Sequence, residues 1–188
     1  MTAAQHPWAE ALPTLHDHAW HRLVRGVHDR HAPARHPTLA TVSPEGLPQM
    51  RTVVLRAADR GSRRLSIYTS LHSGKVRDAM ARPAAALHVW DAQQRLQIRL
   101  EAEVELATGA AAAEAWNQVP AHSRSAYSAQ VPGEPLPHAL AYGTEPDPAA
   151  FVVFHLHVVA LDVLHLGAHH RRARFCRADG WAGQWLAP

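Results

Sequence analysis

The clearest structural pattern of this chain lies in residues 96–106, LQIRLEAEVEL. Apolar side chains stand at every second position from Leu96 to Leu106, and polar or charged side chains occupy the positions between them. A period of two is that of a β-strand with one face in the core and the other facing solvent or a partner. This stretch therefore predicts a long amphipathic strand.

Further strands precede and follow it. The sequence predicts them at Thr38–Val42, Pro48–Arg56, Leu65–Thr69, Ala84–Trp90, Phe151–Leu166, His169–Cys176 and Trp181–Leu186, with turns at Ser43–Gly46 and Asp59–Ser62. Helical patterns lie at Trp8–Val27, Ser73–Ala81, Gly109–Val119 and Ser123–Gln130. Closely spaced strands joined by hairpin turns favour a mainly β chain with peripheral helices (α+β), built on an antiparallel barrel, over an alternating βαβ array.

The chain has 188 residues, enough for a core that needs no disulfide or metal. We expect residues 1–36 to form an N-terminal helix and connector, and residues 37–188 to form the barrel domain. The proline-rich segment 131–150 is long for a loop inside a compact domain. Such a length is typical either of a binding loop or of a solvated excursion.

Cysteine content and hydropathy indicate the compartment. Cys176 is the only cysteine, so no disulfide can form within the chain, and this favours a reducing environment. Thr2–Pro13 lacks the apolar centre of a signal peptide, and no stretch approaches the roughly 20 apolar residues of a membrane span. We therefore expect a cytoplasmic protein with no membrane partner.

The formal net charge is +3, and arginines cluster at 51–56, 60–64 and 171–177. Clustered arginine suits a phosphorylated small molecule as well as nucleic acid. The tryptophans do not interleave with the basic runs as in a base-stacking surface, so we expect a small-molecule partner and no nucleic acid. His155 and His157 share a strand face, but no Cys or carboxylate completes a zinc-like spacing, and we expect no metal.

Arg51-Thr-Val-Val-Leu-Arg56 is the first candidate site. Its guanidiniums could grip a phosphate, and the backbone between them could hydrogen-bond a planar ring. Residues five apart point to opposite faces of a regular strand. The two arginines therefore serve one phosphate only if a bulge or strong twist intervenes. Otherwise they contact different parts of a ligand, or are solvated on an edge strand.

Two further segments carry candidate ligand-binding groups. A strand ending in Tyr68 and Thr69 leads into a helix with Ser73 as N-cap and Lys75 in the first turn. Free N–H groups and the helix dipole favour an anion there, although a capped surface helix has the same pattern. In the segment 169–175, the side chains on one side of the strand would close a cationic pocket or form a basic exposed surface, and they are His170, Arg172 and Arg174.

Taken in order, these segments resemble the pyridoxamine 5′-phosphate oxidase-like FMN-binding split-barrel family. The resemblance is carried by PTLATVSPEG (37–46), RTVVLR (51–56), IYTS (67–70), SGK (73–75), LQIRL (96–100) and HRRARF (170–175), with Trp181 and Leu186–Pro188 at the end. It covers residues 37–188, least well in the Ala-rich middle and the proline-rich segment. The resemblance implies an antiparallel split β-barrel that binds FMN as a homodimer.

The same resemblance implies which residues bind the cofactor: Arg51, the backbone of Thr52, Val53, Val54 and Leu55, then Arg56, Tyr68 and Thr69, with Ser73 and Lys75 on the phosphate. Gln97 and Arg174 would come from the second subunit, which places FMN at the dimer interface. For an anionic substrate we expect contacts from Arg56, His170 and Arg172, and also from Tyr127 and Arg124. No residue is assigned a catalytic role.

The chain departs from the family at the positions that bind the vitamer. Gly74 stands where the oxidases carry an arginine after the serine, and Leu164 stands where a tryptophan is expected beside the flavin. HRRAR keeps only the last arginine of the family's Arg-x-His-Asp-Arg. The FMN part of the pattern is kept and the substrate part is not. This argues against pyridoxamine-phosphate oxidation and favours the family's oxidase-related branch.

These features predict an FMN-dependent oxidoreductase that transfers hydride between a small, anionic substrate and N5 of the flavin. Two alternatives stay open. One is a non-catalytic protein that binds or stores FMN, or haem, on the same fold. The other is a deazaflavin-dependent reductase on the same barrel.

Overall fold

A computed structural model describes residues 6–188 of the chain, so the first residues of the Thr2–Pro13 segment lie outside the described part. Within residues 6–188 there are three α-helices: α1 (Leu12–His28), α2 (Gly74–Ala81) and α3 (Ala113–Gln118). None of the described helices is long and apolar enough to cross a membrane.

The nine strands of the described residues form one sheet. They are β1 (Thr38–Val42), β2 (Pro48–Thr52), β3 (Leu55–Asp59), β4 (Arg64–Ser70), β5 (Ala84–Asp91), β6 (Leu96–Ala107), β7 (Phe151–Leu166), β8 (His170–Cys176) and β9 (Gln184–Leu186). Their order is β2-β1-β5-β6-β7-β4-β3, and β8 and β9 continue from β7. All neighbours are antiparallel, which confirms the predicted mainly β, antiparallel class.

The alternation of β6 is confirmed side chain by side chain. Leu96, Ile98 and Leu100 are buried in the core, whereas Arg99 and Glu101 on the other face are exposed. The strand lies between β5 and β7, and β7 is long enough to pair with β4 along its first half and with β8 along its second half. One face of β6 therefore belongs to the core, and its other face belongs to the outer surface of the sheet.

Helix α1 covers the core but begins later than predicted. Its residues Leu15, Ala19 and Leu23 are fully buried in the same hydrophobic cluster as the sheet. The predicted start at Trp8 is wrong, because a short 3-10 turn precedes the helix and Pro13 lies in its first turn. Proline is tolerated there, but inside a helix it would remove a hydrogen bond and clash with the preceding turn.

The predicted strand Pro48–Arg56 is wrong in extent, since the chain forms two strands there. The pairing of β2 with β1 ends at the pair Thr52–Thr38, and Thr38 is the first residue of β1. Pro37, which precedes Thr38, has no N–H group with which to extend the ladder. From Leu55 the chain pairs with β4 instead. Arg56 is an extra residue in that pairing, a β-bulge.

Three other boundaries also differ from the predictions. The helix predicted at Gly109–Val119 is a 3-10 turn followed by the short α3, and the helix predicted at Ser123–Gln130 is a 3-10 turn at Ala121–Ala126. Serines there compete with helical backbone hydrogen bonds. The strand predicted at Trp181–Leu186 shortens to β9 because Trp181 has φ 68° and Gly183 φ 78°, which no extended strand adopts.

Candidate cofactor site

A group of polar side chains surrounds the start of α2. We call this group the cradle; it comprises Thr41 of β1, Arg51 of β2, Thr69 of β4, the N-cap Ser73, and Lys75 and Asp78 of α2. The helix follows β4 directly and packs against β1. It therefore joins the β1–β2 edge of the sheet to the end of β4.

Lys75 and Ser73 converge on one hydroxyl. Lys75 Nζ donates to Thr69 Oγ1 at 2.9 Å, and the hydroxyls of Thr69 and Ser73 are 3.1 Å apart. Ser73 is the N-cap of α2, as predicted, but its side chain makes no capping hydrogen bond. The first turn therefore keeps its amide groups uncapped by that side chain. Apart from the residues next to Gly74 and the backbone of α2 itself, no described atom lies within 4 Å of the place that a Cβ on Gly74 would take, so there is free space beside this helix start.

Arg51 is held by a second chain of contacts. Its Nη1 donates to Thr41 Oγ1 at 2.6 Å, and Thr41 Oγ1 donates to Asp78 Oδ2 at 2.6 Å. Arg51 Nη2 also lies 3.5 Å from the same carboxylate oxygen. Asp78 and Thr41 are buried, whereas the Arg51 side chain is 24% exposed. The guanidinium is thus anchored on its inner side and accessible on its outer side.

The cradle carries more positive than negative charge. Burial lowers the pKa of Lys75 below its ordinary value, and the nearby Arg51 charge lowers it further, while Asp78 raises it. Two cations therefore share one carboxylate in a partly desolvated place. Such an excess is unfavourable unless an anion balances it. The donors and the charge fit a phosphate group.

Arg56 lies in a second group, with aromatic rings. Because β2 ends before β3 begins and Arg56 is itself a β-bulge, Arg51 and Arg56 do not belong to one regular strand. The rule that residues five apart point to opposite faces therefore does not apply to them. The guanidinium carbon of Arg56 is 5.6 Å from the centre of the Tyr68 ring, and its Nε is buried with no acceptor among the described residues. Burial raises the pKa of Tyr127, and the adjacent Arg56 charge opposes that effect. Tyr68 and Tyr127 both pack on Phe151.

Arg124 is engaged by its own segment. Its Nε donates to the Val119 carbonyl at 3.0 Å, and its guanidinium lies 5.1 Å from the Trp116 ring centre. Tyr127 follows this turn and is buried. Of this predicted substrate-binding pair, Tyr127 therefore lies beside Arg56, while Arg124 holds the backbone of the preceding turn.

The predicted residues of β8 lie elsewhere, and the two arginines among them have partners within the chain. Arg172 Nη2 donates to Asp162 at 2.9 Å, a carboxylate that it shares with Arg99. Arg174 forms a two-pronged pair with Glu101 at 2.8 and 2.9 Å. His170 is the exposed first residue of β8, on the same side of the strand as predicted.

Gln97 and Arg174 are on the opposite face of the sheet from Arg51. Arg51 pairs across β1 with Leu39, which is buried on the core face. Gln97 and Arg174 belong to the outer, polar face of β6 and β8. One flavin could not contact Arg51 and these two residues within a single chain unless it crossed the sheet.

The structure thus unites four predicted residues, Arg51, Thr69, Ser73 and Lys75, and adds Thr41 and Asp78, which the sequence interpretation missed. A signal for Asp78 was present, since it follows Lys75 by three residues and such pairs are neighbours on a helix. Thr41 carried no comparable signal. In the part of the chain from His6 onwards, no group of three or more His, Cys, Asp or Glu is arranged to hold a metal ion.

Comparison with known proteins gives consistent results. A family profile described as pyridoxamine 5′-phosphate oxidase matches residues 33–164. A pyridoxine/pyridoxamine 5′-phosphate oxidase of Rhizobium meliloti is 35% identical over 150 residues, which cover 80% of this chain and 64% of that protein. Matches to the curated relatives cover between 31% and 64% of their own length.

Solved structures agree with this family. A pyridoxamine 5′-phosphate oxidase-related, FMN binding protein from Nostoc punctiforme has a TM-score of 0.75 and 25% identity, over 98% of this chain and 100% of that one. PhzG from Burkholderia lata, in complex with tetrahydrophenazine-1-carboxylic acid, has a TM-score of 0.71 at 18% identity, over 98% of each chain, and shows the shared fold. The family indicated by the sequence motifs is confirmed: this chain belongs to the pyridoxamine 5′-phosphate oxidase family.

Proposed function

We propose that this chain is an FMN-dependent oxidoreductase that acts on a small, anionic substrate as a homodimer. The observation that carries the proposal is the charge of the cradle, where Arg51 and Lys75 share only Asp78. A phosphate monoester is the anion that its hydroxyls, cations and open helix start suit best. Membership of a family with an FMN-binding member supports this choice of ligand.

In this proposal Arg51, Thr69, Ser73 and Lys75 hold the FMN phosphate. The backbone of Thr52–Leu55, in which Val53 and Val54 connect β2 to β3, follows Arg51 directly and offers hydrogen bonds to the ring. FMN would supply hydride exchange at its N5 atom. The task of the chain is to bind the phosphate, orient the ring and admit the substrate.

Arg56 is the best placed residue to hold an anionic substrate. It forms no ion pair with a carboxylate of the described residues, and the rings of Tyr68 and Tyr127 lie beside it. A half-buried guanidinium against aromatic rings keeps its charge and is pre-oriented. Arg172 and His170 would contribute only after the Arg172–Asp162 pair is rearranged.

The two faces of the sheet support the proposed homodimer. Because Gln97 and Arg174 face away from Arg51, a second copy would have to present them to the same flavin. The outer face has the composition of an interface, since Met50 is 71% and Trp90 44% exposed. A shallow depression of about 430 Å³ is lined mainly by alanines, Val42, Pro48 and Val159, together with Glu101 and Glu103. Such an apolar area is typical of a protein interface.

The experiment is to load the purified chain with FMN and follow the flavin absorbance as small carboxylates, phosphates and uncharged analogues are added. We expect an anionic compound to reduce the flavin, and we expect Arg56→Ala to lose that reaction while retaining FMN. Transfer of electrons from the flavin to an acceptor is tested by reducing the flavin chemically and adding oxygen or another acceptor. If no compound reacts and the reduced flavin is reoxidised no faster than free flavin, the chain is a binder and the oxidoreductase proposal is wrong.

A further inference from the structure

Asp78 places a negative charge in a site that would bind an anion. Its side chain is 1% exposed, so it is not a solvated surface group. Oδ2 accepts a hydrogen bond from Thr41 and faces Arg51, while Oδ1 is buried with no partner among the described residues. A buried carboxylate costs free energy unless its contacts compensate. The burial of this carboxylate near Arg51 and Lys75 therefore requires an explanation.

We propose that Asp78 is a positioning residue of the cofactor site, which fixes the Arg51 guanidinium, directly and through the Thr41 hydroxyl, toward the phosphate of FMN. The inference rests on the proposed function. It adds that the orientation of the Arg51 guanidinium depends on Asp78 of α2, a residue that need not contact the ligand itself.

Three elements meet in this arrangement. Arg51 comes from β2, Thr41 from β1 and Asp78 from α2, and each contributes one link of a continuous chain of hydrogen bonds. Arginine has a long side chain, so fixing it before the ligand binds removes part of the entropy cost of binding. The contacts with Thr41, Asp78 and the Gln49 carbonyl leave further guanidinium donors for a phosphate.

A different role for Asp78 is structural, as a tie that holds α2 on β1 through Thr41. The two roles differ in whether their effect on FMN binding depends on Arg51. Riboflavin has the same ring as FMN but no phosphate. Positioning of Arg51 changes the affinity for FMN alone and has no effect once Arg51 is removed, whereas loosening of α2 also displaces Ser73 and Lys75 and weakens FMN binding with or without Arg51.

The test measures FMN and riboflavin affinities of the full chain by flavin fluorescence. We expect Asp78→Ala to weaken FMN binding by about tenfold, the size expected for one charge-assisted hydrogen bond, and to leave riboflavin binding unchanged. Asp78→Asn keeps an oxygen acceptor and should weaken FMN less than Asp78→Ala. In an Arg51→Ala background, Asp78→Ala should add no further loss, because its partner is gone.

Equal losses of FMN and riboflavin, or an additive loss in the Arg51→Ala background, would overturn the positioning role. If Asp78→Ala does not fold, as judged by thermal unfolding, the comparison uses Asp78→Asn and Thr41→Val, which both retain the packing. Wild-type chain that fails to bind FMN contradicts the proposed function itself. Wild-type chain that binds FMN, with Asp78 variants that bind it equally well, contradicts only this inference.

A second readout uses Lys75, which is the only lysine of the chain. An amine-acylating reagent followed by peptide mass spectrometry therefore reports on this side chain alone among the side-chain amines. The Asp78 charge raises the pKa of Lys75, so Asp78→Asn should shift the acylation profile to lower pH. Thr41→Val keeps that charge and should leave the profile in place. An unchanged profile in Asp78→Asn would show that the carboxylate does not act on the cradle.

Discussion

The cradle at the start of α2 and the arginines of β8 contain the same kinds of cation, but their surroundings differ. On β8, Arg172 and Arg174 have carboxylate partners on neighbouring strands, and the bond with Glu101 raises the pKa of Arg174. In the cradle, burial lowers the pKa of Lys75, and its only carboxylate is shared with Arg51. Both regions are basic in sequence, and Asp162 also serves two arginines, but Arg172 and Arg174 each have a direct ion pair, whereas Lys75 has none among the described residues.

The difference shows why a cluster of arginines does not by itself identify an anion site. An ion pair on the surface is worth little to stability but occupies the donors of both partners. A half-buried cation without its own carboxylate retains donors and a charge that a ligand can satisfy. We therefore propose the cradle as the anion site within one chain, whereas the arginines of β8 would become available only when their partners are displaced.

The largest expected effect comes from removing both cations of the cradle. Arg51→Ala with Lys75→Ala should weaken FMN binding by about 100-fold or more, because two charge-assisted hydrogen bonds to the phosphate are lost. Riboflavin affinity should change little. Fluorescence titration of the apo chain with each flavin measures both quantities.

The matched control for that variant is Arg177→Ala, which removes an exposed arginine paired with Glu103 at the end of β8. We expect its FMN affinity to stay within about twofold of the wild type, as is usual for an exposed pair. The comparison fails if the double variant binds FMN as the wild type does, or if Arg177→Ala weakens it as strongly.

An intermediate effect is expected from pH. The pKa of Lys75 lies below the ordinary 10.5, and only the protonated amine attracts phosphate. FMN affinity should therefore be highest below that pKa and fall by about tenfold as the pH rises through it. The phosphate is already a dianion above its second pKa of about 6, so it does not titrate in this range.

Lys75→Arg is the control for this pH dependence, because a guanidinium keeps its charge throughout the range. Its FMN affinity should stay level where that of the wild type declines. Riboflavin, measured in parallel, corrects for ionisation of the flavin ring. An identical alkaline decline in wild type and Lys75→Arg would show that Lys75 does not contact the phosphate.

The smallest effect is expected from freeing an arginine of β8. Glu101→Gln releases Arg174, which the proposal places against the flavin of the partner subunit, and should tighten FMN binding by about threefold. The free energy of unfolding should change by less than about 1 kcal/mol, since the pair is largely exposed. Glu103→Gln releases Arg177 instead and should leave FMN affinity unchanged. Weaker binding in Glu101→Gln would argue against a role for Arg174.

Much of the fold follows from local patterns. The strict alternation in LQIRLEAEVEL predicts β6, and the turn at Gly46, with φ 86°, bounds β1 at the predicted residue. The division of Pro48–Arg56 was not predictable in the same way, because both halves have strand-forming residues. Which strand each half pairs with is a long-range property, and it alone creates the break and the bulge at Arg56.

The site was predictable to the extent that it lies in continuous segments. Arg51, Ser73 and Lys75 each stand in a short motif. Only their partners Thr41 and Asp78 had to be identified from the three-dimensional structure. The Arg172–Asp162 and Arg174–Glu101 pairs depend on the register of β8, β7 and β6, which no single segment encodes. For this reason the sequence predicted these arginines as available cations, whereas the structure shows them paired.

The visible absorption spectrum of the freshly purified chain tests whether the cradle binds FMN. We expect a flavin band, and we expect denaturation to release FMN in an amount equal to that of the chain. A colourless protein that also fails to take up added FMN would contradict the claim, and the excess charge of Arg51 and Lys75 would then serve another anion.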